Sequence, residues 1–269
     1  MPVRHFAPAV RQHIPFGERI IEEIKLFAVR YKQLAGPLTG GDRVLITRED
    51  GSFLMTPEDN EGFYLPNYPP LGTYNKIKQG YPSVLYNIYT SDGFVEVEDG
   101  DIVVDGGAFV GGFSLAASRA GAVHVYAVEP SPDNYKALLK NTADDNRIET
   151  SQAALWNENK TLEFEVANDG TESGIVSDAG GQIISVPGKT VQTFVEEMDL
   201  DNIDFLKLDA EGFEPEVLEG IGDLQISKLS VACGAERNNR FTREQVAEKL
   251  ISRGYEIEKH RSHVFAKQL

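Results

Sequence analysis

A glycine-rich turn follows a short apolar run in the middle of the chain. The run Asp101–Val104 leads into the turn, and residues 112–120 then show a helical pattern. Glycine allows a ligand to approach the backbone closely, and the first turn of a helix offers free N–H groups. The next apolar run ends at Glu129, whose carboxylate could accept hydrogen bonds from both hydroxyls of a ribose. The pattern therefore predicts a site for an adenosine-type cofactor. Its expected residues are Asp105, Gly106, Gly107, Ala108, Phe109, Gly111, Ser114, Glu129 and Pro130.

Two cofactors compete for this site. A nicotinamide dinucleotide carries a pyrophosphate, whereas S-adenosylmethionine carries an ammonium group, a carboxylate and a sulfonium cation. A carboxylate at Asp105, at the mouth of the turn, would repel the pyrophosphate and attract the cationic part of the methyl donor. The sequence thus favours S-adenosylmethionine, and a nicotinamide dinucleotide is the alternative.

The adenine ring of such a cofactor is expected near the end of a third predicted strand, residues 148–155. Gln152 and Ala153 are candidates for contacts with its edge, and Ala154 for covering one face. Trp156 could stack on the ring or belong to the core.

A second group of charged residues follows a fourth predicted strand, Ile203–Leu208. Lys207 interrupts the apolar run, and Asp209 and Glu211 come directly after it. Buried charges are costly unless they are paired or used. One interpretation places Asp209, Glu211 and Lys207 beside a transferred methyl group, with Asp209 also touching the cofactor. A hydroxyl nucleophile needs a base or a metal, and Asp209 is the first choice and Glu211 the second. The alternative is that Lys207 and a carboxylate form a structural pair at the strand end.

A metal ion is a further hypothesis for the same edge of the sheet. A fifth predicted strand, residues 229–233, precedes Glu236 and Asn238. Together with Asp209, these oxygen ligands could hold Mg²⁺. The alternative is that Glu236 pairs with Arg237 or Lys207.

The chain is predicted to divide near residue 80. Residues 81–269 alternate apolar strands with helical patterns, which predicts an α/β fold with a mostly parallel sheet and helices on both faces. Residues 1–80 form an accessory or lid segment, with a helix at 17–34, a hairpin turning at Asp50–Gly51 and an aromatic loop at 56–82. The helix at 17–34 could mediate a homodimer.

Composition limits the function classes. The 269 residues carry 26 basic and 42 acidic side chains, giving a formal charge of −16, and contain one cysteine. The charge disfavours nucleic acid and anionic membranes as partners, and the single cysteine rules out a disulfide framework. No run reaches the roughly 20 apolar residues of a membrane span, and no signal peptide is visible. We expect a cytoplasmic protein that acts on a small molecule.

The motifs also resemble a known family. Asp105–Ser114, Glu129-Pro130 and Lys207-Leu-Asp-Ala-Glu-Gly212, followed by Glu214, are similar to the FkbM family of S-adenosylmethionine-dependent methyltransferases, over roughly residues 95–255. The resemblance implies a Rossmann-like class I methyltransferase fold with a seven-stranded sheet, and O-methylation of sugar or polyketide hydroxyls. This chain has Phe109 where the family usually has asparagine, so a side-chain amide contact is lost.

The sequence therefore predicts an S-adenosylmethionine-dependent methyltransferase that acts on a hydroxyl of a sugar or another small molecule. The alternatives are an NAD(P)-dependent oxidoreductase and a non-catalytic domain that binds S-adenosylmethionine.

Overall fold

The computed structural model describes residues 44–166, 174–175, 182–235 and 240–269. The helix expected at 17–34, with its suggested role in dimerisation, lies outside the described residues. So do Glu236 and Asn238.

The described chain alternates strands and helices over most of its length. The strands are β1 (Val44–Glu49), β2 (Ser52–Pro57), β3 (Phe63–Leu65), β4 (Ile102–Gly106), β5 (His124–Val128), β6 (Ile148–Ser151), β7 (Ala154–Leu155), β8 (Lys160–Val166), β9 (Gly174–Ile175), β10 (Gln182–Lys189), β11 (Ile203–Leu208), β12 (Ile226–Ala232), β13 (Tyr255–Lys259) and β14 (His263–Gln268). The helices are α1 (Leu71–Lys78), α2 (Tyr81–Tyr89), α3 (Gly112–Ala120), α4 (Pro132–Thr142), α5 (Val191–Glu197), α6 (Glu214–Glu219) and α7 (Arg243–Ser252).

A seven-stranded sheet in the order β13-β14-β12-β11-β4-β5-β6 forms the centre of the protein. The pairs from β12 to β6 are parallel, and β14 runs antiparallel to both of its neighbours. The chain moves outward from β4 through β5 to β6 and later from β11 to β12 on the other side. The strand order therefore reverses between β4 and β11, which is where such sheets bind ligands. The predicted mostly parallel, seven-stranded sheet is confirmed.

Both faces of this sheet are covered, because alternate residues of the central strands point to opposite sides. On one face, Val103 and Phe205 pack with Phe113 of α3 and with residues of α2. On the other face, Val104 and Leu206 pack with residues of α5, α6 and α7. This double burial explains why β4 and β11 are almost continuously apolar.

The part before β4 forms a separate small sheet, in the order β1-β2-β3, and two helices. The predicted hairpin is present, with Asp50 and Gly51 both at positive φ in its turn. The predicted loop at 56–82 instead contains β3 and α1. Helix α1 starts directly after Pro70, so a proline that suggested a loop marks a helix start.

Helix α2 joins this part to the main sheet. Tyr81 and Leu85 lie against α3 so closely that a Cβ on Gly112 would come within 2.5 Å of the Tyr81 ring and 2.6 Å of Leu85. Helix α2 is therefore packed into the α/β core.

An insertion between β7 and α5 adds strands to a four-stranded sheet in the order β7-β10-β8-β9. Strands β8 and β10 pair antiparallel, and β10 also pairs with β7. Across the described residues, every helix is too short or too polar to traverse a lipid bilayer.

Candidate active site

A cavity of about 220 Å³ opens at the carboxyl ends of β4 and β11, where the strand order reverses. Backbone and side chains from five parts of the chain surround it. From α1 and α2 come Thr73, Lys76, Tyr81, Leu85 and Tyr89; from the turn after β4 and from α3 come Gly106, Gly107, Ala108, Phe109 and Phe113; from the end of β5 and from α4 come Glu129, Pro130 and Asn134; from the β6–β8 region come Ala153, Ala154, Leu155, Trp156 and Phe164; from β11 and its exit come Lys207, Leu208, Asp209, Ala210, Glu211 and Phe213.

The structure brings together most of the residues that the sequence suggested. The catalytic candidates Lys207, Asp209 and Glu211 all line the cavity. Four predicted cofactor residues do not line it: Asp105, Gly111 and Ser114, which are buried or pack behind the turn, and Gln152, which is exposed.

The glycines of the turn are required by contacts within the chain. A Cβ on Gly107, which has φ +72°, would lie 1.9 Å from the carbonyl oxygen of Asp209. A Cβ on Gly106 would lie 2.8 Å from Leu155, and one on Gly111 would lie 2.7 Å from Leu138. The sequence predicted that these residues are glycines because a ligand must approach the backbone closely. The structure shows that close packing between neighbouring elements is already sufficient.

Asp105 and Lys207 form a buried ion pair, with 2.9 Å between Nζ of Lys207 and Oδ1 of Asp105. Their side chains are 0% and 3% exposed. The hydroxyl of Ser114 donates to Oδ2 of Asp105 at 2.6 Å, and Lys207 also donates to the carbonyl of Gly107 at 2.6 Å. The pair thus holds the glycine turn against β11, as the structural alternative for Lys207 described.

This pairing changes one argument from the sequence. Asp105 was expected to present a negative charge at the mouth of the turn and so to repel a pyrophosphate. It faces Lys207 instead and does not line the cavity. The prediction that Asp105 repels a pyrophosphate is therefore wrong. The choice of cofactor rests on the other features of the cavity.

Glu129 lines the cavity while being 5% exposed. Its Oε2 accepts from the backbone N–H of Phe109 at 2.9 Å, and its Oε1 accepts from the N–H of Ser131 at 2.9 Å and from Nδ2 of Asn134 at 3.2 Å. Burial raises the pKa of Glu129 to about 7, although these donors and Lys207 act in the opposite direction. Glu129 is thus a carboxyl group that changes charge near neutral pH.

Phe109 adopts the left-handed region, with φ +52°. Asparagine is more tolerant of this conformation than phenylalanine. The departure from the family pattern therefore places a strained residue at the tip of the turn. Glu211, which also lines the cavity, is left-handed as well, with φ +51°.

Two buried polar atoms of the cavity wall have no hydrogen-bond partner within the described chain. They are Oδ1 of Asn134 and the indole Nε1 of Trp156. Buried polar groups are nearly always paired, so an unpaired acceptor and an unpaired donor in one cavity suit a polar ligand. Ala153, Ala154 and the rings of Trp156 and Phe213, whose centroids are 5.6 Å apart, add apolar surface. An adenosine group fits this combination.

Asp209 occupies the corner between the glycine turn and α2. Its backbone N–H donates to the carbonyl of Gly106 at 3.0 Å, and its Oδ2 accepts from the hydroxyl of Tyr89. Burial and the neighbouring Asp209 carboxylate hold the pKa of Tyr89 well above its usual range, so Tyr89 is a donor at neutral pH.

Glu214 fixes the loop that carries Asp209 and Glu211. It is fully buried, and its Oε1 accepts from the backbone N–H groups of Ala210 at 2.9 Å and Gly212 at 3.0 Å. Thr242 donates to its other oxygen at 3.1 Å. Glu214 therefore explains why a second glutamate follows the Lys-x-Asp-x-Glu-Gly pattern.

The sequence missed the wall supplied by α1 and α2, and also Asn134 and Phe213. The available signal for α2 is the helical spacing of Tyr81, Leu85 and Tyr89, which begins at the end of the predicted aromatic loop. Asn134, in the first turn of α4, carried no signal that would separate it from any surface asparagine.

A metal site is not supported by the described part of the chain. No three His, Cys, Asp or Glu side chains come close enough there to hold an ion. Two of the three suggested ligands, Glu236 and Asn238, lie outside that part.

The sheet order, the single reversed strand β14 and a cavity for a nucleoside beyond the glycine turn define a Rossmann-like class I methyltransferase. The family model described as "Methyltransferase FkbM domain" matches residues 105–264. The chain belongs to this family and is an S-adenosylmethionine-dependent methyltransferase. The oxidoreductase alternative is thereby set aside.

Solved structures of other proteins are similar at low sequence identity. Fibrillarin from Aeropyrum pernix with natively bound S-adenosyl-L-methionine is 14% identical, with a TM-score of 0.43 over 84% of this chain and 99% of that one. The putative transferase PH0793 from Pyrococcus horikoshii is 13% identical, with a TM-score of 0.45 over 91% of this chain and 84% of that one. Precorrin-6y C5,15-methyltransferase from Geobacter metallireducens is 14% identical, with a TM-score of 0.41 over 69% of this chain and 85% of that one. No curated protein matches the chain.

Proposed function

We propose that this methyltransferase acts on a hydroxyl of a sugar or another small molecule, and that Asp209 is the general base. The observation that carries the proposal is the position of Asp209. It lines the cavity beside the glycine turn, at the point where the strand order reverses. In open α/β sheets, ligands bind at this point.

Several residues are suited to hold the donor. Glu129 would accept hydrogen bonds from the ribose hydroxyls, with the unpaired Oδ1 of Asn134 beside it. Ala153, Ala154 and Trp156 would surround the adenine, and the indole N–H of Trp156 would donate to a ring nitrogen. Gly106, Gly107, Ala108, Phe109 and Pro130 would form the floor of the donor site.

When bound, S-adenosylmethionine supplies an activated methyl group on a sulfonium ion. Asp209 would accept the proton of the acceptor hydroxyl as the new oxygen–carbon bond forms and the carbon–sulfur bond breaks. The Tyr89 hydroxyl occupies Oδ2 of Asp209, and no hydrogen bond reaches Oδ1 from the described residues. Oδ1 is therefore the oxygen that would take the proton. Holding both reactants in one cavity supplies much of the rate gain, because oriented reactions have large effective molarities.

Glu211 is the second candidate for the base, since it also lines the cavity. Lys207 has a different role in this proposal. Its ammonium group is committed to Asp105 and to the carbonyl of Gly107, so it positions the turn and does not act on the acceptor.

Two measurements test the proposal. Incubation with isotope-labelled donor and a panel of sugars and other hydroxyl compounds, followed by mass spectrometry, should show label on an oxygen of one of them. Asp209→Asn should bind S-adenosylhomocysteine as the wild type does and lose turnover by at least 100-fold, in the range of general-base contributions of roughly 10²–10⁴-fold. Full turnover by Asp209→Asn, with a parallel loss in Glu211→Gln, would transfer the role of base to Glu211.

A further inference from the structure

One wall of the cavity lies outside the domain shared with the family. The family match begins at residue 105, whereas Thr73, Lys76, Tyr81, Leu85 and Tyr89 line the cavity from α1 and α2. The uncharged members of this group offer aromatic rings, methyl groups or hydroxyls; they are Thr73, Tyr81, Leu85 and Tyr89. Lys76 is the charged member of the group, and its surroundings distinguish it from the other lysine of the cavity.

The ammonium group of Lys76 has no partner within the described chain. Among the described residues, no carboxylate lies within ion-pair distance of it, and none of them accepts a hydrogen bond from it. Lys207, by contrast, is paired with Asp105 and is 3% exposed. An unpaired, partly buried cation is unexpected in a protein with a formal charge of −16, since acidic partners are abundant. The position of Lys76 therefore leaves one positive charge available to a ligand.

Lys76 lines the same cavity as Tyr89 and Asp209. The ring of His263 contacts Tyr89, with 5.4 Å between ring centroids, and Tyr89 donates to Asp209. Burial is the main cause that lowers the pKa of His263, and the positive charges of Lys207 and Lys76 lower it further. The positive charge of Lys76 therefore belongs to the cavity that also contains Asp209.

Thr73 adds a neutral donor on the same side of α1. It precedes Lys76 by three residues, a spacing that places two helical side chains next to each other. Both side chains line the cavity. A hydroxyl and an ammonium group in this arrangement match an anionic group with two or more oxygens.

We propose that Lys76 and Thr73 form a subsite for an anionic oxygen group, a carboxylate or a phosphate, of the ligand that occupies this cavity. The inference rests on the proposed function, because it takes the cavity as the place of methyl transfer. The group has two conceivable sources: the amino-acid carboxylate of the donor, or an acid group on the acceptor near the hydroxyl that Asp209 deprotonates.

Calorimetry of Lys76→Gln separates these sources. In the donor arm, S-adenosylhomocysteine is compared with 5′-methylthioadenosine, which lacks the amino-acid carboxylate. A subsite for the donor predicts that Lys76→Gln binds S-adenosylhomocysteine about 10-fold more weakly and methylthioadenosine unchanged, as for loss of one charged hydrogen bond. Lys78→Gln is the matched control, because it removes the same charge from the same helix at a residue that does not line the cavity.

In the acceptor arm, glucuronate, glucose and inorganic phosphate are titrated into protein saturated with S-adenosylhomocysteine. A subsite for the acceptor predicts that glucuronate or phosphate binding weakens about 10-fold in Lys76→Gln while any glucose binding is unchanged. The inference is overturned when Lys76→Gln matches Lys78→Gln in its affinity for S-adenosylhomocysteine and no anion binding depends on Lys76. Failure of the wild type to bind either nucleoside would instead overturn the proposed function, and phosphate titration of the protein alone would still report on Lys76.

Discussion

The hydroxyl of Tyr89 donates a hydrogen bond to Oδ2 of Asp209, across 120 residues of sequence. Tyr89 belongs to α2, before the domain shared with the family, and Asp209 belongs to the motif that follows β11. The cavity is therefore completed by a contact between the two parts of the chain.

Tyr89→Phe should lower turnover by about 10-fold while leaving the affinity for S-adenosylhomocysteine unchanged, because it removes one hydrogen bond to a charged group. Steady-state kinetics measures the turnover, and calorimetry with S-adenosylhomocysteine measures the affinity.

Tyr86→Phe is the control for this substitution. The Tyr86 hydroxyl lies on the same helix and donates to the carbonyl of Val97, and Tyr86 does not line the cavity. Equal turnover by Tyr89→Phe and the wild type would show that the Tyr89 hydroxyl does not assist Asp209.

Donor binding should tighten as pH rises through about 7. Burial raises the pKa of Glu129 to about 7, and the ionised carboxylate is the better acceptor for ribose hydroxyls. The ionised fraction increases by about 10-fold between pH 6 and pH 8, which sets the upper limit of the gain in affinity. Calorimetry with S-adenosylhomocysteine over this range measures it.

Glu129→Gln provides the comparison, since its amide does not titrate. Its affinity should be lower at pH 8 and nearly independent of pH. A wild-type dissociation constant that stays flat from pH 6 to pH 8 would place the ribose away from Glu129.

Lys207→Met should destabilise the fold by about 3–5 kcal/mol, because it leaves the Asp105 carboxylate buried without its partner. The double variant Asp105→Asn with Lys207→Met should recover much of this loss. Urea denaturation followed by circular dichroism gives the free energies of unfolding.

Lys249→Met is the matched surface substitution. Its ion pair with Glu219, at 2.7 Å, has both side chains at least one-third exposed, so the expected cost is about 1 kcal/mol or less. If Lys207→Met cost no more than Lys249→Met, the buried pair would not hold the turn.

Gly107→Ala should be far more disruptive than Gly93→Ala. Both glycines have similar positive φ values, +72° and +69°, so the conformational strain of alanine, about 1 kcal/mol, is common to both. A Cβ at Gly107 would collide with the carbonyl of Asp209, whereas nothing lies within 4 Å of one at Gly93.

Thermal unfolding of the two variants measures the difference. Gly107→Ala should also weaken donor binding, since the turn must shift. Equal stabilities would show that the contact between Gly107 and Asp209 relaxes without cost.

The sequence was a good guide where the signal is local. The run into Gly106 and the hairpin turn at Asp50–Gly51 each depend on neighbouring residues, and both appear as expected. Periodicity also predicted the parallel sheet, because the strands buried on both faces are continuously apolar.

What the sequence could not provide depends on distant contacts. The pairing of Lys207 with Asp105 is set by the register of β11 against β4, which places these two residues directly opposite each other. Composition suggested a loop at 56–82, although the chain there forms β3 and α1. Side chains of α1 and α2 enter the cavity only because α2 packs on α3, and no local pattern encodes that contact.

The main-chain junction between Gly107 and Asp209 has a consequence for how acceptor range can change. The glycine turn beneath the donor site and Asp209, the proposed base, are in close backbone contact and share a backbone hydrogen bond. A change in the position of one would therefore move the other. Substitutions are easier to accommodate in α1 and α2, because their side chains line the cavity without taking part in that backbone contact. Variation in acceptors across relatives should accordingly concentrate in the segment that precedes the common domain.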